Sequence, residues 1–149
     1  IKKIVNIKNF MSKVSIIVPT FNSSKYAKSL CESIIGQDHI NFEALIVDNM
    51  SKDDTVDLIK QYSNNDERFN YYNIKNEGSI AKSRNLGIEN SIGDIIAFHD
   101  SDDFWYKNKL SYILPYFNSN DFVYHSLKIK KKYNFFFSSV SYSYQPSHK

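Results

Sequence analysis

The chain has 149 residues, of which 42% are hydrophobic and 23% charged, and this composition indicates one folded domain rather than a disordered segment. Its net charge of +3 balances 19 basic against 16 acidic residues. Because these charges are scattered, a nucleic-acid partner, which needs a concentrated basic face, is not expected. The sequence has no apolar run as long as a membrane span or signal-peptide core, and its one cysteine, Cys31, fits a reducing compartment. We therefore expect a cytoplasmic protein.

Three segments account for the first half of the fold. A β-branched run at Val14–Val18 predicts a strand buried on both faces. Helical spacing of apolar residues over Ser24–Ile35 predicts a helix that ends at Gly36. A second buried strand is expected at Glu43–Val47, ending at Asp48.

The second half continues the alternation. Ser51 and Asp54 have capping-box spacing ahead of a helix, and Phe69–Ile74 is interpreted as a third strand. A helix at Ile80–Asn90 leads to a fourth strand, Ile95–Phe98. A further helix at Lys107–Phe117 and a fifth strand near Phe122–Leu127 complete the expected elements. Such alternation of strands and helices predicts an α/β fold with a mostly parallel sheet.

The two ends differ from this pattern. Residues 1–12 are expected to be an N-terminal extension, since Met11 stands directly before the first strand. Residues 128–149 form an irregular tail with a basic patch beside aromatic residues, at Lys128, Lys130, Lys131 and Lys132. This patch could make a peripheral contact with the anionic inner face of a membrane. A solvated strand end followed by a loose tail is the simpler interpretation, and we favour it.

A polar cluster follows each of three buried strands directly. These clusters are Thr20-Phe21-Asn22, Asp48-Asn49 and Asp100-Ser101-Asp102-Asp103. In open α/β sheets ligands bind beyond the carboxyl ends of the strands, where the strand order reverses. The three clusters are therefore expected to meet around one ligand.

The acidic cluster indicates a metal. Asp100, Asp102 and Asp103 bring three carboxylates to one strand end, which is unfavourable unless a positive charge is bound there. One or two carboxylates completed by substrate phosphates suit Mg²⁺ or Mn²⁺. The alternative is an ordinary solvated turn, where Asp is also favoured. The neighbouring clusters make the metal the preferred interpretation.

Other residues carry weaker signals. Asp48 could accept a hydrogen bond from a base or ribose, and Arg84 could reach a phosphate as a permanently charged donor. Ordinary turn chemistry and a surface ion pair are the alternatives for these two residues. The sequence contains no GxGxxG, no GxxxxGK[ST] and no GxSxG motif.

Taken together, four segments resemble the N-terminal half of family 2 glycosyltransferases of GT-A type. These segments are VSIIVPTFN (Val14–Asn22), IVDNMSKDDT (Ile46–Thr55), NEGSIAKSRNLGIENSIGDIIAFHDSDDFW (Asn76–Trp105) and Lys109-Leu110. The resemblance runs in register over about residues 13–127, which would form the nucleotide-sugar-binding domain. It implies a sheet with helices on both faces and an incomplete acceptor portion, since family members are usually longer.

The resemblance also implies roles for individual residues. Thr20 and Asn22 would line the nucleoside pocket beside Phe21, and Asp48 would bind the base. Arg84 would stand near the base and diphosphate, with Asn85 and Gly87 shaping that segment. Asp100 and Asp102 would be the DxD pair, the first towards the ribose and the second on the metal, while Asp103 and Trp105 would shape the pocket.

The resemblance implies transfer of a sugar from a nucleotide-activated donor to a saccharide or lipid-linked acceptor, often in surface polysaccharide synthesis. The nucleotide of the donor that the resemblance suggests is UDP. Three residues depart from the family pattern: Asn49 and Met50 replace an acidic residue and a glycine, and His99 replaces an aliphatic residue before the DxD.

Three functional hypotheses therefore stand. The first is a metal-dependent glycosyltransferase. The second is a truncated, non-catalytic nucleotide-sugar-binding module, because no Asp or Glu follows Asp121 to serve as a base. His125 is the only nearby candidate for the base, and we favour the interpretation that it is an ordinary histidine at a strand end. The third is phosphoryl transfer with Asp100 as nucleophile, as in haloacid-dehalogenase-type phosphatases. Their DxD follows an early strand, so this hypothesis ranks below the others.

Overall fold

The computed structural model of the chain describes residues 12–64 and 66–124. Within them, four parallel strands form one sheet in the order β3-β2-β1-β4. The strands are β1 (Val14–Thr20), β2 (Phe42–Asp48), β3 (Phe69–Asn73) and β4 (Ile95–Phe98). All four were predicted, and the carboxyl ends lie at one edge of the sheet because every pair is parallel.

Four helices connect and cover these strands. They are α1 (Ala27–Ile35), α2 (Thr55–Tyr62), α3 (Ile80–Glu89) and α4 (Lys109–Ile113). A 3-10 turn, Ser24–Tyr26, precedes α1, and a second, Leu114–Asn118, follows α4. Among the described residues, no helix combines the length and the apolar character that crossing a membrane requires.

Three details of the sequence prediction were wrong. The helix expected at Lys107–Phe117 changes to a 3-10 helix after Ile113, because Pro115 has no N–H to donate in an α-helix interior. Phe122, Val123 and Tyr124 do not form the predicted fifth strand, and residues 125–127 lie outside the described residues. Asp54 is the N-cap of α2 without a side-chain cap hydrogen bond, so the expected capping box is not formed.

Helices pack on both faces of the sheet, as predicted. One face of β1 presents Val14, Ile16 and Val18 to a core that includes Leu30 and Ile34 of α1 and Ile59 of α2. The opposite face presents Ile17, which is fully buried, to α3. Alternate residues of β1 therefore serve two separate layers, which explains why the strand is buried along its whole length.

Close packing between α3 and β1 requires a glycine at position 87. A Cβ at this position would lie 2.5 Å from Cγ2 of Ile17. We expect Gly87→Ala to lower the free energy of unfolding by roughly 1–2 kcal/mol, because overpacking outweighs the gain in helix propensity. Urea denaturation measures this change. In an Ile17→Ala background, where the obstructing atoms are gone, the same substitution should cost less; an equal cost in both backgrounds would contradict the steric explanation.

A buried carboxylate fixes the loop before β4. Glu43, only 5% exposed, accepts hydrogen bonds from Ser15 Oγ at 2.5 Å and from the Ile92 backbone N–H at 2.8 Å. The Gly93 N–H in turn donates to Ser15 Oγ at 2.8 Å. This role of Glu43 was not predicted, because in the sequence the residue is recognisable only as the start of a strand.

Removal of this carboxylate should destabilise the fold. We expect Glu43→Ala to cost about 2 kcal/mol in urea denaturation, since it leaves buried donors without partners. Glu43→Gln keeps an accepting oxygen and should cost less than half as much. Because Gln has nearly the same volume as Glu, equal losses for the two variants would show that the charge of the carboxylate, rather than an accepting oxygen, is required at this position.

Cys31 is a residue of the hydrophobic core. It is fully buried on α1, and its thiol donates to the Ile59 carbonyl oxygen at 3.5 Å. Burial raises the pKa of the Cys31 thiol to about 12. The thiol is therefore protonated at neutral pH.

Candidate nucleotide-binding site

A cleft of about 570 Å³ lies at the carboxyl edge of the sheet. After β1 the chain builds β2 and β3 to one side and then returns to add β4 on the other, so the strand order reverses between β1 and β4. The cleft is lined from both sides of this switch point, by Thr20, Phe21 and Asn22 after β1 and by Asp100, Ser101 and Asp102 after β4. This is the place where open α/β sheets bind ligands.

Asp48 is buried and already satisfied by the protein. It is 3% exposed and aligned with Thr20 across β1 and β2. Its Oδ1 accepts from Thr20 Oγ1 at 2.9 Å and from Ser51 Oγ at 2.6 Å, and its Oδ2 accepts from the Ser51 N–H at 2.8 Å. Asp48 therefore fixes the walls of the cleft through Thr20 and Ser51, and its contact with a base stays a prediction.

Asn22 joins the loops that follow β1 and β2. Its backbone N–H donates to Ser51 Oγ at 2.9 Å, and its Oδ1 accepts from the Lys52 N–H at 2.9 Å. Its φ of 46° lies in the left-handed region, which Asn tolerates better than most residues. The neighbouring Phe21 side chain is 55% exposed. The loop is thus held by hydrogen bonds while an aromatic ring remains available at the cleft.

The DxD segment forms a tight turn. The Asp100 carbonyl oxygen accepts from the Asp103 N–H at 3.0 Å, and Ser101 Oγ pairs with Ser23 Oγ at 2.9 Å, which ties the turn to the loop after β1. Asp102 and Asp103 are exposed, and Asp102 lines the cleft. The turn therefore presents the Asp102 carboxylate to the cleft from a fixed backbone.

Asp100 and Arg84 form an ion pair. Arg84 Nη2 on α3 donates to Asp100 Oδ1 at 2.7 Å, and the guanidinium lies 5.5 Å from the centre of the Phe98 ring. Within the described residues, Arg84 Nε is buried without a hydrogen-bond partner. The structure brings Arg84 to the DxD, whereas Asn85 is exposed on α3 and Gly87 packs on β1.

One basic side chain lines the cleft among the described residues, and it is Lys25. Its Nζ lies 4.5 Å from the centre of the Tyr26 ring. A hydrogen bond with the Tyr26 side chain and, to a smaller degree, the charge of Asp102 raise the pKa of Lys25 above its ordinary value. Lys25 is thus a cation at neutral pH and faces the same space as Asp102.

The cleft has the ligands for a metal only in part. No three His, Cys, Asp or Glu side chains within residues 12–64 and 66–124 are grouped to hold an ion. Asp100 is engaged by Arg84, which leaves Asp102 as the carboxylate lining the cleft without such a pairing. This donor set fits an ion bound through one carboxylate and completed by phosphate oxygens and water, the usual manner of Mg²⁺.

His99, noted in the sequence as a departure from the family, is a buried and hydrogen-bonded residue behind the turn. It is 1% exposed, its ring stacks on Trp105 with centroids 4.3 Å apart, and Nδ1 and Nε2 contact the Asp100 carbonyl and Ser33 Oγ. Burial lowers the pKa of His99 to about 4. The ring is therefore neutral at physiological pH.

The third strand also contributes a residue to the cleft, which was not predicted from the sequence. Asn76 follows β3 and is buried; its N–H donates to Asn49 Oδ1 at 2.9 Å, and its Nδ2 donates to Ser83 Oγ at 2.9 Å. Asn49, Asn76 and Ser83 all line the cleft. The reasoning applied to the other three strands, that polar residues after a strand meet at one edge, would have found Asn76. His125 and the Lys128–Lys132 patch lie outside the described residues.

Comparison with known proteins establishes the family. The model of the glycosyl transferase family 2 matches residues 15–146. The chain therefore belongs to the glycosyl transferase family 2, and phosphoryl transfer by Asp100 is set aside. Its parallel sheet and helices form part of the GT-A fold of that family.

The relatives that match this chain in sequence are longer than the chain itself. An uncharacterised glycosyltransferase of Rickettsia conorii is 42% identical over 82% of the chain, which spans 21% of that protein. A putative teichuronic acid biosynthesis glycosyltransferase of Bacillus subtilis is 37% identical over 68% of the chain and 40% of the relative. The chain thus spans about a fifth of the length of the Rickettsia relative.

A solved structure confirms the fold. Residues 1–349 of Staphylococcus aureus TarS, a poly(ribitol-phosphate) β-N-acetylglucosaminyltransferase, in complex with UDP-GlcNAc, superimpose with a TM-score of 0.65 at 33% identity. The match covers 71% of this chain and 31% of that one.

Proposed function

We propose that this chain binds a UDP-sugar and a divalent metal as the donor-binding part of a glycosyltransferase. One observation carries the proposal: a cleft at the switch point between β1 and β4 is lined by the loop after β1 and by a DxD turn with an exposed Asp102. The complex of TarS with UDP-GlcNAc supports UDP as the nucleotide.

The residues of the cleft suggest where each part of the donor binds. Thr20, Phe21 and Asn22 would form the nucleoside wall, with Asp48 behind them accepting from the base. The Arg84–Asp100 pair would stand by the ribose and diphosphate. Asp102 and Lys25 both line the cleft, so a diphosphate bound there would meet one cation and one metal-ligating carboxylate.

The metal would be Mg²⁺ or Mn²⁺, held by Asp102 together with the diphosphate, and Asp103 would shape the approach to it. When bound, such an ion neutralises the negative charge that develops on a diphosphate leaving group. Because the part of the chain that the structure describes offers the cleft one carboxylate without an ion pair, Asp102, we expect little affinity for the metal in the absence of nucleotide. Binding of the two ligands should therefore be cooperative.

The acceptor would be a saccharide or lipid-linked saccharide of a surface polysaccharide. The names of the Bacillus subtilis and Staphylococcus aureus relatives support this assignment. The reaction would take place in the cytoplasm, and the basic residues at Lys128–Lys132 would supply any peripheral contact with the inner face of the membrane.

Calorimetric titration tests the proposal directly. The 149-residue chain is titrated with UDP, with and without Mn²⁺, then with Mn²⁺ alone and with GDP as a control for the base. We expect UDP to bind more tightly with Mn²⁺ than without it, and to bind more tightly than GDP. If UDP bound neither with Mn²⁺ nor without it, the proposed function would be refuted.

One observation favours a second candidate, donor binding without sugar transfer by these residues alone. No Asp or Glu follows Asp121 in the sequence, and inverting transfer needs a base for the acceptor hydroxyl. Release of UDP from UDP-GlcNAc by the purified chain, followed over hours, separates the two. Turnover supports a transferase, whereas tight binding without turnover supports the binding module.

A further inference from the structure

A carbonyl oxygen next to the metal-ligating position is held by two donors. The Asp100 carbonyl accepts from the Asp103 N–H at 3.0 Å, which closes the turn, and from His99 Nδ1, which lies 2.8 Å away. Asp102 lies inside this turn, two residues after the carbonyl. Any motion of the Asp100 peptide group would therefore also move the Asp102 carboxylate.

The contacts of His99 fix its ring on every side. A carbonyl can only accept, so Nδ1 carries the proton and Nε2 is left to accept from Ser33 Oγ at 3.1 Å. The Ser33 hydroxyl also lies 2.9 Å from the Leu30 carbonyl oxygen, so its one proton is shared between these two acceptors. The ring face lies against Trp105, with the two planes 25° apart. Ser33 belongs to α1, which packs in the core of the domain. The ring thus connects a rigid helix to the DxD turn.

Packing alone does not explain a histidine at this position. The side chain is 1% exposed, and a buried polar ring is unfavourable unless its nitrogens are hydrogen-bonded. An aliphatic or aromatic side chain would fill the same space without that requirement. The feature that His99 adds is a donor aimed at the Asp100 carbonyl, backed by Ser33.

We propose that His99 is a positioning residue, which holds the DxD turn through the Asp100 carbonyl so that Asp102 is preorganised to bind the metal–nucleotide. This inference rests on the proposed function. Preorganisation matters here because Asp102 acts with few other protein ligands, and a ligand that must be ordered on binding loses affinity.

The test separates packing from hydrogen bonding with two variants. His99→Phe keeps a ring against Trp105 but has no donor for the Asp100 carbonyl. His99→Asn loses the stacked ring but places an amide N–H close to the former Nδ1. The affinity for UDP is measured by calorimetry with and without Mn²⁺, and urea denaturation reports the stability of each variant.

In the presence of Mn²⁺, we expect His99→Phe to bind UDP about fivefold more weakly than the wild type, which corresponds to the free energy of one hydrogen bond. Without metal, the variant and the wild type should bind UDP equally well. His99→Asn should recover most of the loss even if it is the less stable protein. Ser33→Ala, which leaves the ring in place but removes the partner of Nε2, should give a smaller loss and serves if His99→Phe does not fold.

A spectroscopic measurement needs no ligand. The ¹⁵N chemical shifts of the His99 ring should show the neutral tautomer with the proton on Nδ1. The Nε2–H tautomer, or unchanged Mn²⁺-dependent affinity in both His99→Phe and Ser33→Ala, would overturn the inference while leaving the proposed function intact. If the wild-type chain itself bound no UDP, the proposed function would fail first and this inference with it.

Discussion

Replacing Asp102 with Asn is expected to abolish most of the Mn²⁺-dependent affinity for UDP. The change removes one negative charge and one strong metal-ligating oxygen from the carboxylate that, among residues 12–64 and 66–124, lines the cleft without being paired with Arg84. Loss of residues that merely support a metal ligand costs 10–100-fold in affinity, so loss of a direct ligand should cost at least about 100-fold. Calorimetric titration with UDP in Mn²⁺ measures this loss.

The fold should tolerate this substitution. Because Asp102 is exposed, the substitution should change the free energy of unfolding of the domain, measured by urea denaturation, by less than about 0.5 kcal/mol. Asp57→Asn, which makes the same change on the exposed face of α2, is the matched control and should bind as the wild type does. Unaltered Mn²⁺-dependent binding by Asp102→Asn would mean that the metal assignment is wrong.

Acidification is expected to destabilise the domain through His99. Burial lowers the pKa of this ring from an ordinary value of 6.5 to about 4. Between these two pH values, the unfolded chain binds a proton at His99 that the folded chain does not bind. The free energy of unfolding is therefore highest above about pH 7, and it decreases as the pH drops from about 6.5 to 4. The loss should approach about 3 kcal/mol.

Urea denaturation at several pH values from 7.5 to 4.5 measures this dependence. His99→Phe is the control, because the other three histidines remain in both proteins and the difference between the two curves isolates His99. The variant should lose much less stability than the wild type over the same interval. Parallel curves for the two proteins would show that His99 is not buried in its neutral form.

The strands and their order along the chain could be predicted because their signal is local. β-branched runs such as Val14–Val18 can be recognised without knowing what packs on them, and a polar cluster after each run marks the carboxyl edge. The prediction failed where a single residue changes the outcome. Pro115 divides an apolar pattern of helical period into two kinds of helix, and Ser51 forms hydrogen bonds with Asp48 instead of capping α2.

The candidate site was predictable only as a set of residue types. The sequence placed Thr20, Asp48 and Asp100 near one another, but it could not show which carboxylates are already engaged. Asp48 accepts three hydrogen bonds from the protein and Asp100 is paired with Arg84, whereas Asp102 remains exposed. These differences arise from side-chain geometry between distant segments, and so does the contact of His99 with Ser33, 66 residues away.

The protonated state of Cys31 makes this domain convenient for site-specific labelling. Alkylating reagents attack thiolates, and a fully buried thiol whose pKa is about 12 presents almost none at neutral pH. A cysteine introduced at the exposed Phe21 can therefore carry a fluorophore or spin label while the native cysteine stays in place. Movements of the loop at the mouth of the cleft can then be followed in an otherwise unaltered core.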